Sequence, residues 1–162
     1  MKFVILTGMS GAGKTTVLKF LEDIGFFCVD NLPPALITKF SQLCFEQDGS
    51  IDKVALGIDI RGGKLFGDLF VGLKELKEAG YDYEILYLDA SDATLIKRYK
   101  ESRRSHPLSR GGSLETGIGK ERAMLADVRQ RATYIIDTSS ILTRELKIQI
   151  NKIFKDNGEF DS

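Results

Sequence analysis

The chain has 162 residues, 43% hydrophobic and 28% charged, and its 23 basic residues balance its 23 acidic ones. That length suits one domain with one core, and the composition is ordinary for a globular protein. Zero net charge removes any whole-chain electrostatic case for nucleic acid or a membrane surface, and no apolar run approaches the ~18 residues of a membrane span.

The first element is Lys2-Phe3-Val4-Ile5-Leu6-Thr7, whose apolar run reads as a buried strand rather than a signal peptide. Gly8-Met9-Ser10-Gly11-Ala12-Gly13-Lys14-Thr15 follows and fits G-x-x-x-x-G-K-[ST], the phosphate-binding P-loop. A helix comes next, Thr16 to Ile24, with Val17, Leu18, Leu21 and Ile24 on one face. Strand, glycine loop and helix are the arrangement the chemistry needs. Gly8, Gly11 and Gly13 let backbone N–H groups close around phosphate oxygens, and the helix N-terminus adds positive potential. Lys14 can reach the β- and γ-phosphates, and the Thr15 hydroxyl can ligate Mg²⁺. Gly8 to Thr16 are therefore the expected phosphate cradle. Two decoys fail the same pattern: Gly57 to Lys64 has an extra glycine and continues into Leu65, and Gly119-Lys120 lacks the earlier glycine and continues into Glu121.

Gly25 to Asp30 reads as a short strand, after which Pro33 and Pro34 can open a helix carrying Leu36, Ile37, Phe40, Leu43 and Cys44. A polar loop over Gln47 to Asp52 leads into the strand Lys53 to Asp59. Asp59 is the candidate acid that organises Mg²⁺, directly or through water, because an apolar strand delivers it to the phosphate side. A strand-end acid capping its own turn is the plain alternative. Beyond it, Ile60-Arg61-Gly62 could bring a guanidinium and close backbone to a phosphate or base. Asp30-Asn31 could position an acceptor or a water, and turn chemistry explains it equally well.

Leu65, Phe66, Leu69, Phe70, Leu73 and Leu76 mark another amphipathic helix, and Glu84 to Asp89 the next strand. Ser91 can cap the helix through Tyr99, whose ring suits the core face. Lys97 to Arg110 sets Lys97, Arg98, Lys100, Arg103, Arg104 and Arg110 against Glu101 alone. These cations could form a lid that closes Arg103 and Arg104 over phosphates, a solvated helix face, or a contact for RNA phosphates. Gly111, Gly112, Gly117 and Gly119 predict a mobile loop up to Lys120, in keeping with a lid. Arg122 to Thr133 reads as helix, Tyr134 to Asp137 as a fifth strand, and Leu142, Leu146, Ile150 and Ile153 line a last helix.

Alternating strands and helices predict an α/β fold with a mainly parallel sheet of about five strands, helices on both faces and right-handed crossovers. Ligands of such sheets sit beyond the carboxyl ends of the strands, where Asp30, Asp59, Asp89 and Asp137 stand. Cys28 and Cys44 fall in apolar contexts without metal spacing and read as buried thiols in a reducing cytoplasm, a disulfide between them being the alternative. His106 alone cannot form a metal cluster, and no nucleophile elbow is present.

The layout from Asp59 through Asp89 to the arginine-rich segment resembles nucleoside monophosphate kinases. The chain is more specifically similar to the RapZ/YvcJ family of bacterial nucleotide-binding proteins, the RNase adapter family. The resemblance is carried by Ile5 to Thr15, Val29-Asp30-Asn31-Leu32-Pro33, Asp59-Ile60-Arg61-Gly62, Leu86-Tyr87-Leu88-Asp89-Ala90, Arg103-Arg104-Ser105-His106-Pro107-Leu108 and Ile136-Asp137-Thr138-Ser139. It implies ATP binding at the P-loop with Mg²⁺, GTP binding associated with Asp59 to Gly62, and slow ATPase and GTPase activity. It further implies a link to small RNA processing. Family members continue into a second domain, so residues 1–155 are expected to form the nucleotide-binding domain and 156–162 a tail or the start of a linker. RNA or regulatory protein partners are expected to engage through that further domain, not through this chain. A small-molecule or nucleotide kinase is the alternative activity.

Overall fold

The computed structural model describes residues 2–46, 51–58, 63–102 and 113–155. Five strands form one parallel sheet: β1 (Lys2–Gly8), β2 (Phe27–Leu32), β3 (Lys53–Ile58), β4 (Tyr83–Asp89) and β5 (Tyr134–Asp137), in the order β2-β3-β1-β4-β5. The helices are α1 (Lys14–Asp23), α2 (Ile37–Phe45), α3 (Gly63–Glu78), α4 (Asp92–Ser102), α5 (Leu114–Met124), α6 (Ala126–Gln130) and α7 (Thr143–Phe154).

β1 is the central strand because its residues are apolar on both faces. Phe3, Val4, Ile5 and Leu6 are fully buried, as are Val54, Ala55 and Leu56 beside them on β3. A strand buried on both sides must be covered by two layers of helix. Right-handed crossovers send α1 over one face and α2 and α3 over the other. α7 packs against α1, and Arg131, just past α6, sits 4.0 Å over the ring of Phe70 on α3, which joins that region to the second layer.

The expected strands are present, with ends shifted by a residue or two. β2 lies later than its periodicity suggested, because Phe26 turns into the core between α1 and α7, its ring 6.3 Å from that of Phe154, before pairing with β3 begins at Phe27. Leu36 and Leu43 were expected on an apolar helix face but are 46% and 53% exposed. Pro34 opens a 3-10 turn over Pro34–Leu36 ahead of α2, so only Ile37, Phe40 and Cys44 of that set meet the core.

One larger expectation fails. Residues 114–120 are helical, not loop. Ser113 caps α5 by accepting the Thr116 N–H at 3.1 Å, Glu115 complements the first turn, and Ile118 is fully buried. The cap and this packing outweigh the helix cost of Gly117 and Gly119, about 1 kcal/mol each. Among the described residues, no helix is long and apolar enough to cross a membrane.

At the top of β1 the chain passes so close to β4 that a Cβ on Gly8 would stand 2.1 Å from the Leu88 carbonyl oxygen, and Gly8 has φ +145. Gly8→Ala is therefore expected to lower stability by about 3 kcal/mol or more. Urea unfolding followed by circular dichroism measures it.

Candidate phosphate-binding site

The motif residues leave β1 at Gly8 and enter α1 at Lys14, so the glycine loop sits at the carboxyl edge of the sheet, where ligands of such folds bind. Gly11 and Gly13 take φ +88 and +107, the left-handed region that glycine reaches without strain. Gly13 is the N-cap of α1, and the first intrahelical bond runs from the Val17 N–H to the Gly13 carbonyl at 3.0 Å. The N–H groups ahead of that bond, those of Thr15 and Thr16 among them, lack an intrahelical acceptor and meet the loop mouth at the positive end of the helix dipole. Thr15 is exposed, Lys14 and Thr16 are half-buried, and Met9 and Ala12 are fully buried. Met9 and Ala12 thus serve the site as backbone and packing.

Each residue of the loop's middle is tied to a different part of the fold. The Met9 N–H donates to the Leu88 carbonyl at 3.0 Å. Ser10 donates its N–H to Glu121 Oε1 at 2.9 Å and its hydroxyl to Glu121 Oε2 at 2.6 Å. The Gly11 carbonyl accepts from the Arg98 guanidinium at 2.9 Å, and the Ala12 carbonyl accepts from the Thr138 hydroxyl at 2.8 Å. Arg98 also donates to the Thr138 carbonyl at 2.7 Å. Tyr99 is buried, as its helix position required, with its ring edge 3.3 Å from where a Cβ on Gly11 would lie.

A cleft of about 270 Å³ opens beside the loop. It is bordered by Gly13 and Thr16 at the start of α1, by Arg98, by Thr138 and Ile141 between β5 and α7, and by Leu146 of α7. Its lining combines the Arg98 guanidinium and threonine hydroxyls with the side chains of Ile141 and Leu146.

The strand-end acids part company. Asp89 is 8% exposed and takes Arg122 at 2.9 Å and Arg129 at 3.2 Å, with the Ala90 N–H at 2.8 Å. It joins β4 to Arg122 of α5 and Arg129 of α6. Burial works against the Arg122 charge, but its hydrogen bonds to Asp89 and Asp92 outweigh that and raise its pKa above the ordinary value. Asp137 accepts the Ser139 N–H at 2.8 Å, and hydrogen bonding to the Ser139 side chain, then to its N–H, holds the Asp137 carboxyl below the ordinary range. Asp30 sits at a break in the β2–β3 register, with its Oδ1 2.8 Å from the Asn31 N–H. Asn31 has φ 55, the one positive value outside glycine among the described residues. Asp59, Ile60, Arg61, Gly62, Arg103 and Arg104 lie outside the described residues, as do Arg110, Gly111 and Gly112.

Glu121 and Thr138 were not singled out as loop partners by the sequence, and Arg98 figured only as one cation of a basic run. No local pattern announces such contacts, because they join positions as far apart as 10 and 121.

A family model described as the RapZ-like N-terminal domain matches residues 1–158. The chain belongs to that family. Curated RapZ-like relatives are close in sequence. A nucleotide-binding protein of Clostridium botulinum (strain Hall) is 59% identical over 162 residues, covering 100% of this chain and 55% of that protein. One of Acetivibrio thermocellus is 60% identical over 161 residues, covering 99% and 55%. The chain thus spans about half the length of the curated relatives it matches. Among solved structures, shikimate kinase from Acinetobacter baumannii in complex with shikimate aligns with a TM-score of 0.62 at 20% identity, over 93% of this chain and 91% of that one. The YorR protein from Bacillus subtilis in complex with phosphorylated GDP gives 0.65 at 16% identity, over 93% and 94%. At such identities the likeness is one of fold, and that fold is the kinase-like P-loop α/β domain.

Two outcomes test this geometry. Asp89→Asn, which uncharges a carboxylate facing two guanidinium groups, is expected to cost about 1–3 kcal/mol by chemical denaturation. The Cys28 thiol donates to the Leu18 carbonyl at 3.4 Å, and burial, then the Glu22 charge, push its pKa up to about 11. At pH 8 its thiolate is therefore scarcer than that of an ordinary cysteine. Alkylation of Cys28 followed by peptide mass spectrometry is expected to run at least about tenfold slower than that of free cysteine.

Proposed function

We propose that this chain is a nucleotide-binding regulatory domain that takes ATP and GTP at the glycine loop and hydrolyses them slowly. The observation that carries the reading is the loop itself. Gly8 to Lys14 curve from the central strand onto the N-terminus of α1, with a small-ligand cleft alongside. The names of the relatives, nucleotide-binding proteins, support it.

In this reading the loop N–H groups and Lys14 hold the triphosphate, and the base and ribose enter the cleft between Arg98 and the segment from Thr138 to Leu146. The Thr15 hydroxyl, exposed at the loop mouth, suits Mg²⁺ together with phosphate oxygens. Mg²⁺ would neutralise charge on the terminal phosphates. Asp59 would arrange the outer shell of that ion, Ile60 to Gly62 would border the nucleotide, and Arg103 and Arg104 would close over the transferring phosphoryl group. Water is the acceptor. Glu121, the carboxylate bonded to the loop, has both oxygens engaged by Ser10, so it is poorly placed to take a proton from that water, in keeping with slow turnover. Control of small RNA processing, and any RNA or protein partner, would belong to the longer proteins of the family. The domain would work in the cytoplasm.

Asp30-Asn31 favours a second reading, a small-molecule kinase. A register break and a left-handed asparagine at the ligand-facing edge are the kind of strain that persists where a site needs it. An acceptor hydroxyl could be placed there.

Phosphate fate separates the two. With γ-labelled ATP or GTP and Mg²⁺, slow release of free phosphate is expected, unaltered by added sugars or nucleotides. Fast transfer to one acceptor would favour the kinase. Lys14→Ala is expected to abolish nucleotide binding and hydrolysis while leaving the circular dichroism spectrum unchanged. Undiminished hydrolysis by that variant would sink the site assignment.

A further inference from the structure

We propose that Glu121 is a positioning residue for phosphate binding, whose buried carboxylate fixes the third residue of the glycine loop and so keeps the loop in its gripping curve. The inference rests on the reading of that loop as the nucleotide site.

A glutamate is rarely buried unless its charge is met. Glu121 is only 3% exposed, and its two oxygens accept from Ser10, Oε1 from the N–H at 2.9 Å and Oε2 from the hydroxyl at 2.6 Å. Such charge-assisted, two-point contacts are strong and directional. The carboxylate is itself well anchored. It rides on α5, whose Gly117 and Ile118 are buried, and the next residue, Arg122, bonds to Asp89, to the Ala90 carbonyl at 2.9 Å and to Asp92 at 2.6 Å. One turn of helix therefore grips the sheet edge and the loop together.

The loop needs such a hold. Gly11 and Gly13 flank its middle, and glycine gives the unliganded backbone wide freedom that binding would have to remove. Arg98 and Thr138 restrain the Gly11 and Ala12 carbonyls, but neither touches the backbone N–H of Ser10, the donor that Glu121 turns to the outside of the loop. The Thr15 and Thr16 N–H groups, in the first turn of α1, precede the first intrahelical bond and face the loop mouth. A second negative charge beside a phosphate site would repel the ligand, so the benefit of Glu121 lies in its hydrogen-bond geometry and not in its charge.

This separates Glu121→Gln from Glu121→Asp. Glutamine keeps the length, accepts the Ser10 N–H with its oxygen and donates to the Ser10 hydroxyl. Aspartate keeps the charge but falls one methylene short. Isothermal titration of the 162-residue chain with Mg–ATP, Mg–GTP and Mg–tripolyphosphate tests the idea across wild type, E121Q, E121D, E121A and Lys14→Ala. E121Q is expected to bind within about threefold of wild type, and E121D and E121A about tenfold or more weaker for all three ligands. Thermal unfolding without ligand reports on stability separately, and if E121A does not fold, E121Q against E121D decides. Wild-type affinity in E121D and E121A would overturn the proposal. So would a Gln variant as weak as the Asp variant, or a loss confined to the two nucleotides and missing with tripolyphosphate. Wild-type binding by Lys14→Ala would instead overturn the nucleotide site on which the proposal rests.

Discussion

The close approach of the Gly8 backbone to Leu88 on β4 is the contact around which the upper edge of this domain is built. A side chain at that point would collide with main chain, not with another side chain that could turn aside. Because Gly8 has none, β1 can run alongside β4 to its last residue, and the Met9 N–H can still reach the Leu88 carbonyl as the loop departs. The loop therefore starts from the end of a central strand buried on both faces.

Around that start the fold spends its buried polar groups. Asp89, Glu121 and Thr138 are nearly inaccessible, and each is bonded to neighbours at the same edge of the sheet. A buried carboxylate without partners would be costly, but here one meets two arginines and the other meets both donors of a serine. The arrangement gives little net stability for its cost in desolvation. Its benefit is specificity of shape, since each partner accepts only one placement of α4, α5 and the β5–α7 segment about the loop. A loop rich in glycine has little shape of its own, and here the surrounding helices supply it.

That shape suits a ligand with a polyanionic end and a compact, partly apolar body. The first turn of α1 offers amides and a positive dipole end, and the adjoining cleft offers Ile141 and Leu146 beside Arg98. The kinase-like frame is common to proteins with different acceptors, so the frame alone does not name one. The chain belongs to the RapZ-like N-terminal domain family, and the curated relatives it matches are named nucleotide-binding proteins.

The glycine loop, the order of strands and helices and the core face of most helices were legible in the sequence, because each rests on local spacing: a fixed motif, a run of apolar residues or a 3.6-residue period. Ser91 illustrates this, since its hydroxyl accepts the Thr94 N–H of the helix it was expected to cap. Local rules failed where packing outvoted propensity. Gly117 and Gly119 sit in a helix because Ser113 caps it and Ile118 is buried beneath it, and Leu36 and Leu43 face outward despite their spacing. The sequence by itself determined that a glycine loop of the P-loop pattern would stand at the carboxyl end of a parallel sheet. Only the tertiary structure decided which side chains hold that loop. Arg98, Glu121 and Thr138 come from three separate segments, and parallel strands with long crossovers bring together residues whose separation in sequence carries no signal of contact.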